Sequence, residues 1–175
     1  ILKAFYFMLP AYFANMAPVI VKNLFKSTAI PLDFNKTLGN KPVLGKNKTL
    51  RGLIFGILFA IFIAFFQFLL FKNDFLLEIA LIDYSNWIVF GFLMGSGAMI
   101  GDAIKSFFKR RLSYKPGQPF VPFDQIDFVI GALIFTYPLI KLPIMLIITI
   151  ILLSFALDII VNHSSYYFKI RNEKW

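Results

Sequence analysis

Long apolar runs separated by short charged stretches set the organisation of this chain. Gly52–Phe71 is uncharged, with Gln67 its only strongly polar side chain. A helix needs about 20 apolar residues to cross the hydrocarbon core of a bilayer, so this run predicts a membrane span. Ala4–Val21 is also uncharged, although Pro10, Asn15 and Pro18 interrupt it. No small-residue cleavage pattern follows it, and the run reads as a retained span rather than a signal peptide. Asn86–Gly101 predicts a third span that continues as helix to about Phe108. Phe128–Ile140 predicts a fourth, lengthened if its helix starts near Asp124, and Leu142–Leu157 a fifth. Prolines 138 and 143 flank Lys141 and mark a tight turn between the last two. The expectation is an all-α integral membrane protein with five transmembrane helices, forming one domain over residues 1–175.

Composition agrees with that pattern. Hydrophobic residues make up 59% of the chain, and a mean hydropathy of +0.75 lies outside the range of ordinary soluble proteins. With no cysteine, disulfides and thiolate metal sites are excluded, and the lone His163 excludes a multi-histidine site. A formal charge of +9 would ordinarily raise nucleic-acid binding. In a membrane protein it is explained by loops that stay in the cytoplasm, and no nucleic-acid partner is expected. Lys and Arg are strongly biased: fifteen fall in the stretches 22–51, 105–115 and the C-terminal tail, against Lys3, Lys72 and Lys141 on the other side. That bias puts the N-terminus outside and the C-terminus in the cytoplasm of a multi-pass protein of the cell membrane.

Two charged stretches carry candidate chemistry. The loop before the second span ends in "LGKNKTLRG", where Lys46, Lys48 and Arg51 bracket Thr49 between Gly45 and Gly52. Flexible glycine backbone, a hydroxyl and close cations suit a polyphosphate. The same residues also read as a basic flank that only fixes topology, and the spacing is not that of a P-loop. The third span carries Gly91, Gly95, Gly97 and Gly101, whose spacing favours close helix packing. Asp102 follows. If the helix continues, Asp102, Lys105, Ser106 and Lys109 fall within an arc of roughly 100°, with Arg110 at its edge and Arg111 pointing away. Such a stripe offers one carboxylate and several cations to a cavity, or forms a local Asp102–Lys105 pair.

The stretch "KPGQPFVPFDQID" is too rich in proline and glycine to be helical before Asp124. Asp124 and Asp127 then open the fourth helix at i and i+3, on one face. Paired carboxylates with oxygen donors only suit a hard cation such as Mg2+; the alternative is a capping pair favoured by the helix dipole. Asn15, between two prolines, reads first as an interhelical hydrogen-bonding group.

These residues resemble the signature of the CTP-dependent phosphatidate cytidylyltransferases, and most closely their small archaeal branch, the CDP-archaeol synthases. The resemblance rests on "PAYFANMAP", "PLDF", "GKNKT-x-RG", "GD-x-x-KSFFKRR", "PG" and "DQ-x-D-x-x-x-G", in that order over most of residues 9–135. Pro116 stands where the bacterial pattern has an Asp, and the His-Gly-Gly before the first paired Asp is missing, which favours the archaeal branch. The resemblance implies transfer of CMP from CTP to a lipid phosphate, 2,3-di-O-geranylgeranylglycerol 1-phosphate, giving CDP-archaeol and pyrophosphate. It implies Mg2+ held by Asp102, Asp124 and Asp127. Lys46, Lys48, Thr49 and Arg51, with Asn15, would bind the nucleotide, and Lys105, Ser106, Lys109 and Arg110 would act on the lipid phosphate or leaving group. Two rival readings are another metal-dependent membrane transferase with an Asp-x-x-Asp site, and a non-catalytic channel or transporter with a basic cytoplasmic mouth.

Overall fold

A computed structural model of the chain describes residues 1–24, 29–115 and 117–167. The sequence readings that involve Lys26, Pro116 and the basic tail residues Lys169, Arg171 and Lys174 lie outside the described residues. Among the described residues there are five α-helices: α1 (Leu2–Leu24), α2 (Leu50–Lys72), α3 (Trp87–Arg111), α4 (Phe123–Thr136) and α5 (Ile144–Tyr167). The third helix runs past Phe108 to Arg111, so the apolar span and the charged stripe form one rigid rod. A small antiparallel hairpin of β1 (Thr37–Leu38) and β2 (Lys41–Pro42) interrupts the long loop before α2. Its turn residues Gly39 and Asn40 both have positive φ, as a two-residue hairpin turn requires.

Among the described residues, four helical stretches are long and apolar enough to cross a membrane: Leu2–Lys22, Leu50–Lys72, Tyr84–Arg111 and Ile144–Ser164. The expected fourth span, α4, has only 14 residues. At 1.5 Å per residue it extends about 21 Å, short of a hydrocarbon core of about 30 Å. The run Phe128–Ile140 is cut at Thr136, where the chain turns toward Pro138 and Pro143. The bundle is therefore all-helical in its core, with four full-length helices and one short one.

Several polar residues in the apolar runs have structural partners. Pro10 has no N–H to donate to the Tyr6 carbonyl four residues back, yet α1 continues through it. The Gln67 side chain, reaching across from α2, donates to that carbonyl at 2.6 Å. A part-buried Tyr12–Ser154 hydroxyl hydrogen bond of 2.7 Å joins α1 to α5. Helix α3 sits at the centre, packing on α1, α2 and α4. Its glycines divide between two neighbours: Gly91 and Gly95 let the α2 backbone approach at Ile61 and Ile57, whereas Gly97 and Gly101 meet α4 at Gly131, Ala132 and Asp127. Near the end of α3 away from its charged stripe, Phe7, Tyr84 and Phe90 form a buried aromatic core.

Candidate active site

Helix α3 supplies Asp102, Lys105 and Lys109 on successive turns, and the first turns of α4 supply Asp124 and Asp127. The two helices touch so closely that the Gly101 backbone lies against the Asp127 carbonyl, which leaves room only for side chains beyond that level. There the charges converge. Lys105 Nζ lies 3.1 Å from Asp102 Oδ1, 2.8 Å from Asp124 Oδ1 and 3.0 Å from Asp127 Oδ2. Lys109 Nζ donates to both Asp124 oxygens at 3.0 and 2.9 Å. From the loop, Lys48 Nζ pairs with Asp102 Oδ2. The cluster is largely sheltered, with the Asp127 side chain 7% exposed and Lys105 14%. Three carboxylates and three ammonium groups held away from water balance in charge, as buried ions must.

Capping does not account for the paired aspartates. The residue before α4 is Pro122, whose side chain makes no cap hydrogen bond. Asp124 Oδ2 instead accepts from Phe120 N at 2.7 Å, back in the loop. Asp127 Oδ1 accepts from Phe128 N, while Oδ2 is paired with the Lys105 ammonium at 3.0 Å. A donor set of carboxylate oxygens only fits a hard divalent cation in chemistry. As arranged, the three carboxylates surround the Lys105 ammonium, and no group of three or more acidic or histidine side chains among the described residues is disposed to hold a metal directly.

The remaining candidates are placed unevenly. Thr49 caps α2, its hydroxyl accepting from Gly52 N at 3.1 Å, so one of its lone pairs is committed to the fold. Lys46 is exposed on the loop and makes no ion pair among the described residues. Arg51 Nη1 and Arg110 Nε are buried without a partner, while Arg110 Nη2 reaches the Lys115 carbonyl at 3.4 Å. Ser106 is buried on α3 and Asn15 half-buried on α1; neither is hydrogen-bonded to the cluster. Between loop and helices a small cleft opens, lined by Pro18, Leu32, Asn47, Lys48, Met99 and Asp102, so one wall is apolar and the other charged.

Sequence reasoning missed the residues that hold the loop. Arg111, expected to point away, donates to the Leu38 and Pro42 carbonyls and, at 3.1 Å, to that of Lys41. Lys41 Nζ returns a bond to the Arg111 carbonyl at 3.1 Å. Asp33, the only acid in the basic loop, accepts from three backbone N–H groups. Burial alone would raise its pKa, but those donors more than offset this and hold it below the usual carboxylate range. An isolated acid in a positive loop was the available signal for Asp33; for Arg111 there was none, because the helical wheel says nothing about a loop folded back on it.

Comparison with known proteins decides the family. The family model described as CarS-like, CDP-archaeol synthase, matches residues 1–175. The chain belongs to the CDP-archaeol synthase family. Its similarity to the CDP-archaeol synthase of Pyrococcus furiosus is 39% identity over 82% of this chain and 79% of the relative. With the CDP-archaeol synthase of Pyrococcus abyssi it is 34% over 100% and 98%, and with that of Methanocaldococcus jannaschii 34% over 97% and 94%. A solved structure, described as an intramembrane enzyme for archaeal membrane lipids biosynthesis, superposes with a TM-score of 0.77 at 28% identity, covering 93% of this chain and 94% of the other. The charged cluster at the end of α3 is thus the candidate centre of a CDP-archaeol synthase.

Proposed function

We propose that the protein transfers CMP from CTP to 2,3-di-O-geranylgeranylglycerol 1-phosphate, forming CDP-archaeol and releasing pyrophosphate. An oxygen of the lipid phosphate attacks the α-phosphorus of CTP; the bond between that phosphorus and the bridging oxygen to the β-phosphorus breaks, and pyrophosphate leaves. A phosphate monoester with a second pKa of about 6 is largely dianionic at neutral pH, so no general base is needed. The chemistry asks for charge neutralisation and in-line placement, which a cluster of fixed cations and carboxylates supplies. The observation that carries the reading is the convergence of Lys48, Lys105 and Lys109 with Asp102, Asp124 and Asp127 in one sheltered cluster, contributed by a loop and two helices.

On this reading Asp102, Asp124 and Asp127 would hold Mg2+, which when bound would supply neutralising charge to the triphosphate. Lys48 and Lys46 grip the triphosphate, and the buried unpaired donors of Arg51 and Arg110 are suited to an anion. Lys105 and Lys109 neutralise the lipid phosphate and the leaving pyrophosphate, with Ser106 beside them on α3. Thr49 acts mainly through the cap that fixes the start of α2, and Asn15 contributes from α1. The lysine and arginine bias favours a cytoplasmic site, with the N-terminus outside, the C-terminus inside, and α4 completing five passes as a short, locally thinned span. CTP labelled at the α-phosphate, incubated with purified protein, Mg2+ and the lipid phosphate, is expected to deliver label to a lipid-extractable product. Label that stays entirely in the aqueous phase would overturn the assignment.

A further inference from the structure

We infer that Asp33 is a positioning residue: its carboxylate fixes the turn at Leu44–Gly45 so that the backbone carrying Lys48 is held where the lysine reaches Asp102. The kinetic consequences rest on the function proposed above; the positional claim does not. Asp33 is 8% exposed and forms no ion pair among the described residues. Its Oδ2 accepts from Leu44 N at 2.8 Å and Gly45 N at 2.9 Å, and its Oδ1 from Asn35 N at 3.0 Å. A carboxylate committed in this way to main-chain donors organises backbone and has little capacity left for a ligand.

The consequence runs directly to Lys48. Gly45 turns the chain at φ +93°, a conformation that favours glycine, and its carbonyl accepts from Lys48 N at 3.1 Å. The Lys48 carbonyl in turn accepts from Leu32 N at 2.7 Å, next door to Asp33. The segment Leu32–Asp33 therefore grips the loop both before and at Lys48. A lysine side chain is long and rotatable, and fixing its backbone in advance reduces the ordering cost that phosphate binding must offset. Main-chain bonds hold the Lys48 end of this segment, but among the described residues the Asp33 carboxylate is the side chain that bonds the Leu44 and Gly45 amides, and the Arg111 clamp acts further back, on Leu38, Lys41 and Pro42.

Asp33→Ala strands the Leu44 and Gly45 amides and releases the turn. The expected effect is a rise of about tenfold in KM for CTP, with kcat at saturating CTP within about threefold of wild type. Asp33→Asn keeps one oxygen able to accept from both amides, and is expected to recover most of the loss. Because the effect passes through Lys48, adding Asp33→Ala to Lys48→Ala should raise KM by less than about twofold more. A general structural defect would instead depress kcat, lower the melting temperature of the solubilised protein and add fully to Lys48→Ala; that pattern, or an unchanged KM, overturns the inference. Amide hydrogen exchange of residues 44–48 tests the position without any turnover. Exchange at least about tenfold faster in Asp33→Ala than in wild type supports it, and equal protection overturns it. Wild-type protein inactive with CTP would sink the proposed function and leave the exchange result to decide the role of Asp33.

Discussion

Gly97 of α3 and Gly131 of α4 meet backbone to backbone: a β-carbon on either would collide with the carbonyl of the other, and one on Gly97 would also lie 2.8 Å from the Ala132 Cα. This contact sets the distance between the helices, and with it the 3.0 Å separation of Lys105 Nζ from Asp127 Oδ2 one to two turns along. The membrane part of the fold and the charged cluster are thus a single piece of geometry. Neighbouring transmembrane helices gain little from the hydrophobic effect, so close packing through small residues has to hold them together.

Gly131→Ala is accordingly expected to destabilise the protein by about 1–3 kcal/mol, the usual range for overpacking a tight interface, because the obstructing atoms are backbone and cannot rotate away. Turnover per folded molecule should fall as well, since α4 carries two of the three aspartates. Thermal unfolding in detergent and labelled-CTP turnover check the two effects. If both stay at wild-type values, the contact does not set the site.

Gln67→Leu leaves the Tyr6 carbonyl, already deprived of its helical donor by Pro10, without any partner in an apolar bundle. The expected cost is about 1–3 kcal/mol of stability. Pro10→Ala restores an N–H in α1 and should recover part of that loss in the double variant. Gln67 lies 17 residues along α2 from Leu50, about 25 Å at 1.5 Å per residue, so KM for CTP should not move. Unfolding midpoints of the four proteins form the test, and additive effects of the two substitutions would refute the coupling.

How far the sequence could be read follows from these cases. Apolar run length located all five helices, because each must bury an apolar face or turn it toward lipid. It overestimated α4, whose apolar residues continue beyond the point where the chain turns at Thr136. Helical spacing put Asp102, Lys105 and Lys109 on one stripe and Asp124 and Asp127 on another; that the two stripes share one site was implied by the family resemblance and not by the spacing. Lys48 was legible only as a phosphate-type loop residue; its pairing with Asp102 depends on a fold-back that no local periodicity encodes. Gln67 stood out as an isolated polar residue, but its purpose needed Pro10, 57 positions earlier, to be seen beside it. The hairpin and the Arg111 clamp were invisible for the same reason: two-residue strands carry no pattern.

Asp124→Asn and Asp127→Asn each remove one charge from a sheltered, balanced cluster. Turnover is expected to drop roughly a hundredfold or more in each, the scale seen when a fixed electrostatic contact to a transition state is lost. Asp124→Asn should also weaken the loop before α4, because the carboxylate holds Phe120 N and Lys109 together. Labelled-CTP turnover with circular dichroism as a folding control provides the measurement. Full activity in both variants would remove the paired aspartates from the mechanism.

Lys105 provides the sharpest test of metal binding. Its ammonium lies within 3.1 Å of an oxygen on each of three carboxylates, and so supplies positive charge that a bound divalent cation would otherwise have to supply. Lys105→Met removes that charge and leaves Asp102, Asp124 and Asp127 facing one another with only Lys48 and Lys109 to offset them. Breaking a sheltered ion cluster by deleting one partner is strongly destabilising, so the variant should unfold at a lower temperature than wild type in EDTA. If these carboxylates bind a hard cation, Mg2+ or Mn2+ should restore the variant's stability, and by more than it stabilises wild type, where the lysine competes. Binding to the folded form alone adds about 2.7 kcal/mol at a hundredfold excess over Kd, a shift that a melting curve resolves easily. The comparison needs no substrate and no turnover. Equal melting temperatures with and without divalent cation, in both proteins, would identify the three aspartates as the partners of a lysine and not of a metal.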